Sequence, residues 1–120
     1  KNTVICDSYN ANPESMRNAM DAFLEIPDGD KLMILGDMLE LGPASHEEHL
    51  RILRILNNKG ITGVLLVGHQ FESASKEFGY TCFPNVESLI VHLRENPVTG
   101  KQILVKGSRG IMLEKIYDLI

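Results

Sequence analysis

Leu32-Met33-Ile34-Leu35, set between Lys31 and Gly36, is a continuous apolar run with no polar alternation. A strand with one wet face alternates apolar and polar residues, whereas a strand covered on both faces does not, so this run reads as a doubly buried strand. The flanks repeat one pattern. Upstream, Thr3 to Cys6 is a short β-favouring run ending in polar Asp7-Ser8-Tyr9-Asn10, and Asn12-Pro13 then supplies a helix cap with proline at the first helical position. Met16, Ala19, Met20 and Phe23 recur at the three-and-four spacing of a buried helix face, which makes the methionines core residues, and Pro27-Asp28-Gly29 turns the chain.

Downstream, Ser45 and Glu48 have capping-box spacing ahead of an apolar stripe of Ile52, Leu53 and Leu56, which Asn57-Asn58-Lys59-Gly60 closes. Val64 to Val67 reads as a strand, Phe71 to Phe78 as a helix and Tyr80 to Phe83 as a short strand. Asn85 caps a helix carrying Val86, Leu89, Ile90 and Leu93, Pro97 stops it, Ile103-Leu104-Val105 is the last strand, and Ile111 to Leu119 the last helix. Five strand-then-helix units without a long linker imply the α/β class, with a mostly parallel sheet and helices on both faces. At 120 residues the chain fits one domain spanning 1–120.

The composition, 43% hydrophobic and 23% charged, is that of a globular domain rather than a disordered one. No apolar run approaches the roughly 20 residues that span a bilayer, and Lys1 to Asp7 lacks the apolar region of a signal peptide. A formal net charge of −4 argues against a nucleic-acid partner, which needs clustered Lys and Arg. Residues 101–120 run against that balance, with Lys101, Lys106, Arg109 and Lys115 facing only Glu114 and Asp118; this suits either an anion site or a solvated helix face. Cys6 and Cys82 lie in strand-like runs without metal-ligand spacing and are expected to be buried reduced thiols, as in a cytoplasmic protein.

In open α/β sheets ligands lie beyond the carboxyl ends of the strands, and here those ends are unusually polar. Strand one runs into Asp7-Ser8-Tyr9-Asn10-Ala11-Asn12, strand two into Gly36-Asp37-Met38-Leu39-Glu40, strand three into Gly68-His69-Gln70, and strand five into Lys106-Gly107-Ser108-Arg109-Gly110. Asp7 suits a ribose-hydroxyl acceptor or a metal-linked carboxylate, or merely ends its strand; Asp37 and Glu40 offer similar chemistry or simple solvation. Lys106 and Arg109 flank a glycine-bearing loop expected to open onto a helix N-terminus, where backbone N–H groups favour a carboxylate or phosphate.

Neither G-x-x-x-x-G-K-[ST] nor G-x-G-x-x-G occurs, so no phosphate cradle of either usual kind is carried. His46-Glu47-Glu48-His49 spaces its histidines three apart where a zinc helix needs four, and reads as an exposed helix start; no metal site is expected. His69 and His92 stand alone.

Asp7-Ser8-Tyr9-Asn10-Ala11-Asn12-Pro13-Glu14-Ser15-Met16, Leu35-Gly36-Asp37-Met38-Leu39-Glu40-Leu41-Gly42 and Val105-Lys106-Gly107-Ser108-Arg109-Gly110 together resemble the signature stretches of the C-terminal domain of the Mur ligases, of the MurF type. The likeness covers essentially the whole chain in the right order. It implies a Rossmann-like third domain of a three-domain, ATP-dependent ligase that joins D-alanyl-D-alanine to UDP-N-acetylmuramoyl-tripeptide in bacterial cell-wall synthesis. ATP and Mg2+ would be bound mainly by a central domain, and the partners would be that domain and an N-terminal UDP-sugar domain. By this resemblance Asp7, Tyr9, Asn10 and Asn12 line the nucleotide side of the interdomain cleft. Lys106, Ser108 and Arg109 act on the incoming dipeptide or developing charge, with Asp37 beside them. The isolated domain is expected to be inactive.

Folylpolyglutamate synthases share this domain plan, but a histidine is expected where this chain has Tyr9-Asn10. A stand-alone receiver-like binding module wants an acidic cluster after strand one, where only Asp7 stands.

Overall fold

The apolar run of residues 32–35 lies in the middle of a sheet, as its composition demands. The computed structural model describes residues 1–7 and 10–120. Among them are five strands, β1 (Thr3–Asp7), β2 (Asp30–Gly36), β3 (Val64–Val67), β4 (Thr81–Phe83) and β5 (Lys101–Lys106), in the spatial order β1-β5-β2-β3-β4. Every pairing is parallel. Four α-helices connect them: α1 (Pro13–Leu24), α2 (Ser45–Asn58), α3 (His69–Ala74) and α4 (Val86–Glu95).

Right-handed crossovers decide which face each helix covers. The steps β1 to β2, β2 to β3 and β3 to β4 run in one direction across the sheet, and the step β4 to β5 runs back. Accordingly α1, α2 and α3 share one face with Met33, Leu35, Leu66 and Leu104. Helix α4 covers the other, with Leu32, Ile34, Ile103 and Val105. Alternate residues of one uninterrupted apolar run thus enter two different cores.

Local signals account for α1 and α4. Asn12 Oδ1 accepts the Ser15 N–H at 2.8 Å while Ser15 Oγ accepts the Asn12 N–H at 3.1 Å, a reciprocal cap with Pro13 in the first turn. Asn85 Oδ1 accepts the Ser88 N–H at 2.9 Å. The capping box expected from Ser45 and Glu48 does not form, because the chain enters α2 through a 3₁₀ turn, Gly42–Ala44, and Ala44 is already helical at the cap position. The last segment is not α-helical either. It consists of 3₁₀ turns at Arg109–Ile111 and Leu113–Leu119, broken by Met112 in the left-handed region at φ 64. Its buried residues, Leu113 and Ile116, stand three apart, the period at which a 3₁₀ helix presents one face.

The expectation of two buried thiols also needs correcting. Cys6 is exposed, because β1 is an edge strand on which only Val4 is even partly covered, and Cys82 is half-buried with its Sγ 2.7 Å from Ser75 Oγ. Both are free.

Candidate functional site

Topology places a cleft at the end of β5. The chain leaves β1, β2 and β3 toward one face of the sheet and leaves β5 toward the other, so crevices open between β5 and each of its neighbours. An open cleft of about 330 Å³ lies there, lined by Asn10, Leu39, Glu40, Ser108, Arg109 and Gly110. Three of the four polar loops picked out from sequence therefore meet. The fourth, after β3, sends Gln70 to a neighbouring hollow of about 270 Å³ lined by Met38 to Gly42 and Ser45.

Lys106 opposes Asp7 in the β1–β5 ladder, so their side chains project to the same side. The Lys106 ammonium is 1% exposed and donates to Asp7 Oδ2 at 2.8 Å and to the Asn10 carbonyl at 3.1 Å. A buried ammonium is tolerated only when paired, and this one ties the loop after β1 to the end of β5. Asp7 itself keeps 54% of its side chain exposed. Lys106 is not among the cleft-lining residues.

Ser108 is a staple between three loops. Its N–H donates to the Asp37 carbonyl at 3.0 Å, its Oγ accepts the Leu39 N–H at 2.8 Å, and the same hydroxyl points at the Ala11 carbonyl at 3.5 Å. It is nearly buried yet borders the cleft. Arg109 and Asn10 are exposed on the rim, and Glu40 joins them with a left-handed backbone at φ 64, an unusual conformation for a residue with a Cβ.

Asp37, expected near the substrate, faces inward. Its two oxygens accept the Gln70 and Phe71 N–H groups at 2.9 Å each, and its side chain is 4% exposed. Helix α3 has no side-chain cap of its own, since its cap residue is Gly68, so Asp37 caps it from another strand. A Cβ built on Gly68 would overlap the Asp37 carboxylate, which explains the glycine there. Asn12, expected beside the nucleotide, likewise commits its side-chain oxygen to α1. Tyr9 lies outside the described residues.

Two further expectations are corrected. No α-helix begins after Arg109, only a three-residue 3₁₀ turn, so no helix dipole supports an anion there. Gly107 packs its backbone on Gly36, where an added Cβ would stand 2.8 Å from the Gly36 Cα. Nor is the histidine-rich start of α2 exposed throughout. His49 is fully buried, its Nε2 accepting the Met38 N–H at 3.0 Å. The signal for it was present, because His49 continues the stripe of Ile52, Leu53 and Leu56 at the same spacing.

Among the described residues no three His, Cys, Asp or Glu side chains converge as metal ligands, and no helix is long and apolar enough to cross a membrane.

Residues 1–109 match the family model described as Mur ligase, glutamate ligase domain. Curated relatives include the UDP-N-acetylmuramoyl-tripeptide–D-alanyl-D-alanine ligase of Rickettsia prowazekii, 39% identical over 119 residues that cover 96% of this chain and 26% of the relative. The enzyme of the same name from Escherichia coli is 37% identical over 115 residues, 92% of this chain and 25% of the relative. The chain thus spans about a quarter of the length of these curated relatives. Among solved structures, MurF from Acinetobacter baumannii superposes with a TM-score of 0.78 at 31% identity, over 99% of this chain and 28% of that one. MurF ligase from Thermotoga maritima in complex with ADP gives 0.75 at 28% identity, over 97% and 27%.

Proposed function

The chain belongs to the Mur ligase family, and on that premise we propose that it is the C-terminal domain of an ATP-dependent ligase that adds D-alanyl-D-alanine to UDP-N-acetylmuramoyl-tripeptide. The observation that carries this reading is the cleft between the loops after β1, β2 and β5, whose lining combines an exposed arginine with Asn10 and Glu40. A dipeptide offers an amine and a carboxylate, and this wall offers a partner for each.

Among the described residues nothing forms a cradle for ATP phosphates or Mg2+. The sequence lacks a phosphate loop, and no metal-ligand cluster exists among the described residues. Those groups belong to the central domain of the parent, where ATP activates the tripeptide carboxyl for attack. The task of this domain is to close on that site, bring the dipeptide amine into line and exclude water.

Arg109 holds the dipeptide carboxylate in two parallel hydrogen bonds, a geometry suited to guanidinium. Lys106 and Ser108 serve by holding the loops rather than by meeting the reacting atoms. Asp7 and Asn10 face the nucleotide side. The test is phosphate release from ATP by the full-length parent, with tripeptide present, as D-alanyl-D-alanine is added. Release that rises with dipeptide is expected; release indifferent to it defeats the assignment.

A further inference from the structure

Helix α2 carries one polar residue into an apolar core. His49 is fully exposed to none of the solvent, and its ring meets that of Phe71 edge-on, with centroids 4.6 Å apart. Both ring nitrogens of a buried imidazole need partners. Nδ1 lies 2.7 Å from the Ser45 carbonyl, which only accepts, so Nδ1 bears the proton. Nε2 is then the acceptor that takes the Met38 N–H at 3.0 Å. These two bonds specify a neutral imidazole in one tautomer.

What hangs from that acceptor is the rim of the cleft. Met38 is itself buried, the next amide, Leu39, is held by Ser108 Oγ, and Glu40 follows in its left-handed conformation before the chain turns away. We propose that His49 is a positioning residue for the cleft: its Nε2 holds the Met38 amide and with it the Leu39–Glu40 rim, and a proton on that nitrogen releases them. An imidazolium would point its new N–H at the Met38 N–H, donor against donor. Asp37 Oδ1 is an alternative acceptor 3.9 Å away, and turning to it also abandons Met38.

The groups around the ring come from three elements. The loop after β2 supplies Asp37, α2 supplies the Ser45 carbonyl, His46 and Glu48, and α3 supplies the neutral Phe71. Burial pushes the imidazole below the ordinary histidine value, outweighing the Ser45 carbonyl and the Asp37 and Glu48 carboxylates that pull it up. The rim is therefore latched at neutral pH and unlatched in acid.

The ligase reading gives the cleft its importance, but the latch stands on the chain's own bonds and is tested on the 120-residue chain without substrate. A failed latch and a failed ligase assignment are thus told apart. Nitrogen-15 NMR of the imidazole is expected to show the proton on Nδ1 at neutral pH. On acidification the Met38, Leu39 and Glu40 amides should shift with the same midpoint as the ring, below that of an ordinary histidine. His49→Gln, whose side-chain oxygen can accept the same N–H and does not titrate, should keep the neutral-pH amide positions and remove the acid step. A proton on Nε2, amides that ignore the ring's titration, or an unchanged acid step in His49→Gln overturns the proposal. Should that variant not fold, the coincidence of ring and rim midpoints in the natural sequence decides the matter alone.

Discussion

Replacing Asp37 by alanine separates a structural carboxylate from a substrate-binding one. The side chain accepts two backbone N–H groups at the start of α3, each at 2.9 Å, and is almost wholly buried. Hydrogen bonds to a charged partner contribute about 1.5–3 kcal/mol each, so the pair is worth about 3–6 kcal/mol before relaxation. Gln70 is exposed, so water can reach its N–H once the carboxylate is gone, while the buried Phe71 N–H gains no such relief. We therefore expect a loss of about 3–4 kcal/mol, against a total of roughly 6–18 kcal/mol for a domain of this size. With a urea dependence of about 1.5 kcal/mol/M, the unfolding midpoint falls by about 2 M, and the variant remains folded in buffer. Asp37→Asn keeps one acceptor and should fall between. The assay is equilibrium urea unfolding of both variants, with hydrogen exchange at Gln70 and Phe71 as the local readout. A midpoint lowered by less than about 0.5 M would refute the capping role and return Asp37 to the ligand side.

Gly68→Ala should destabilise by about 2 kcal/mol or more, because its Cβ falls on the Asp37 carboxylate at a φ of 120 that L residues rarely adopt; in the Asp37→Ala background the same change should cost markedly less, a coupling read from a double-mutant cycle. His49 titrates below the ordinary value near 6.5 when folded, so as pH falls through that value the unfolded chain takes up a proton first. Its contribution to stability is therefore full above about 6.5 and declines from there toward the lowered folded value; urea midpoints should drop as pH falls below about 6.5, and less so in His49→Gln. In the full-length ligase proposed above, Arg109→Lys should raise the Michaelis constant for D-alanyl-D-alanine about ten-fold, with that for ATP nearly unchanged; a risen ATP constant would move Arg109 to the nucleotide side.

The element order was legible because each unit pairs an apolar run with its own cap or breaker: residues 32–35 announce a doubly covered strand, and Asn12-Pro13 and Asn85 announce helix starts. The spatial order was not, since nothing local tells β5 to insert between β1 and β2, yet that insertion is what creates the cleft. The final segment misled because Ile111 to Leu119 has helical composition, while Met112 breaks it and the spacing of Leu113 and Ile116 suits a tighter coil. His49 was legible in principle from the stripe it shares with Ile52, Leu53 and Leu56, and was obscured by the charged residues before it.

For the site, three of the polar strand ends line one cleft, but residue type could not divide their residues between ligand and backbone, because both require the same donors and acceptors. Burial makes that division. Two cations, Lys106 and Arg109, stand three residues apart at the end of β5. Breaking a buried pair leaves an uncompensated charge at a cost of about 3–5 kcal/mol, lessened here because Asp7 is half-exposed, so drawing Lys106 away to an incoming anion is unfavourable. Arg109 is exposed and already lines the cleft. A loop that must meet a ligand or another domain is best held in shape beforehand, and Lys106, Ser108, Asp37 and His49 together hold the loops that carry Asn10, Leu39, Glu40 and Arg109. In the proposed function recognition falls to the exposed arginine and preorganisation to the buried lysine, which is why the conservative change at position 109 is the discriminating one.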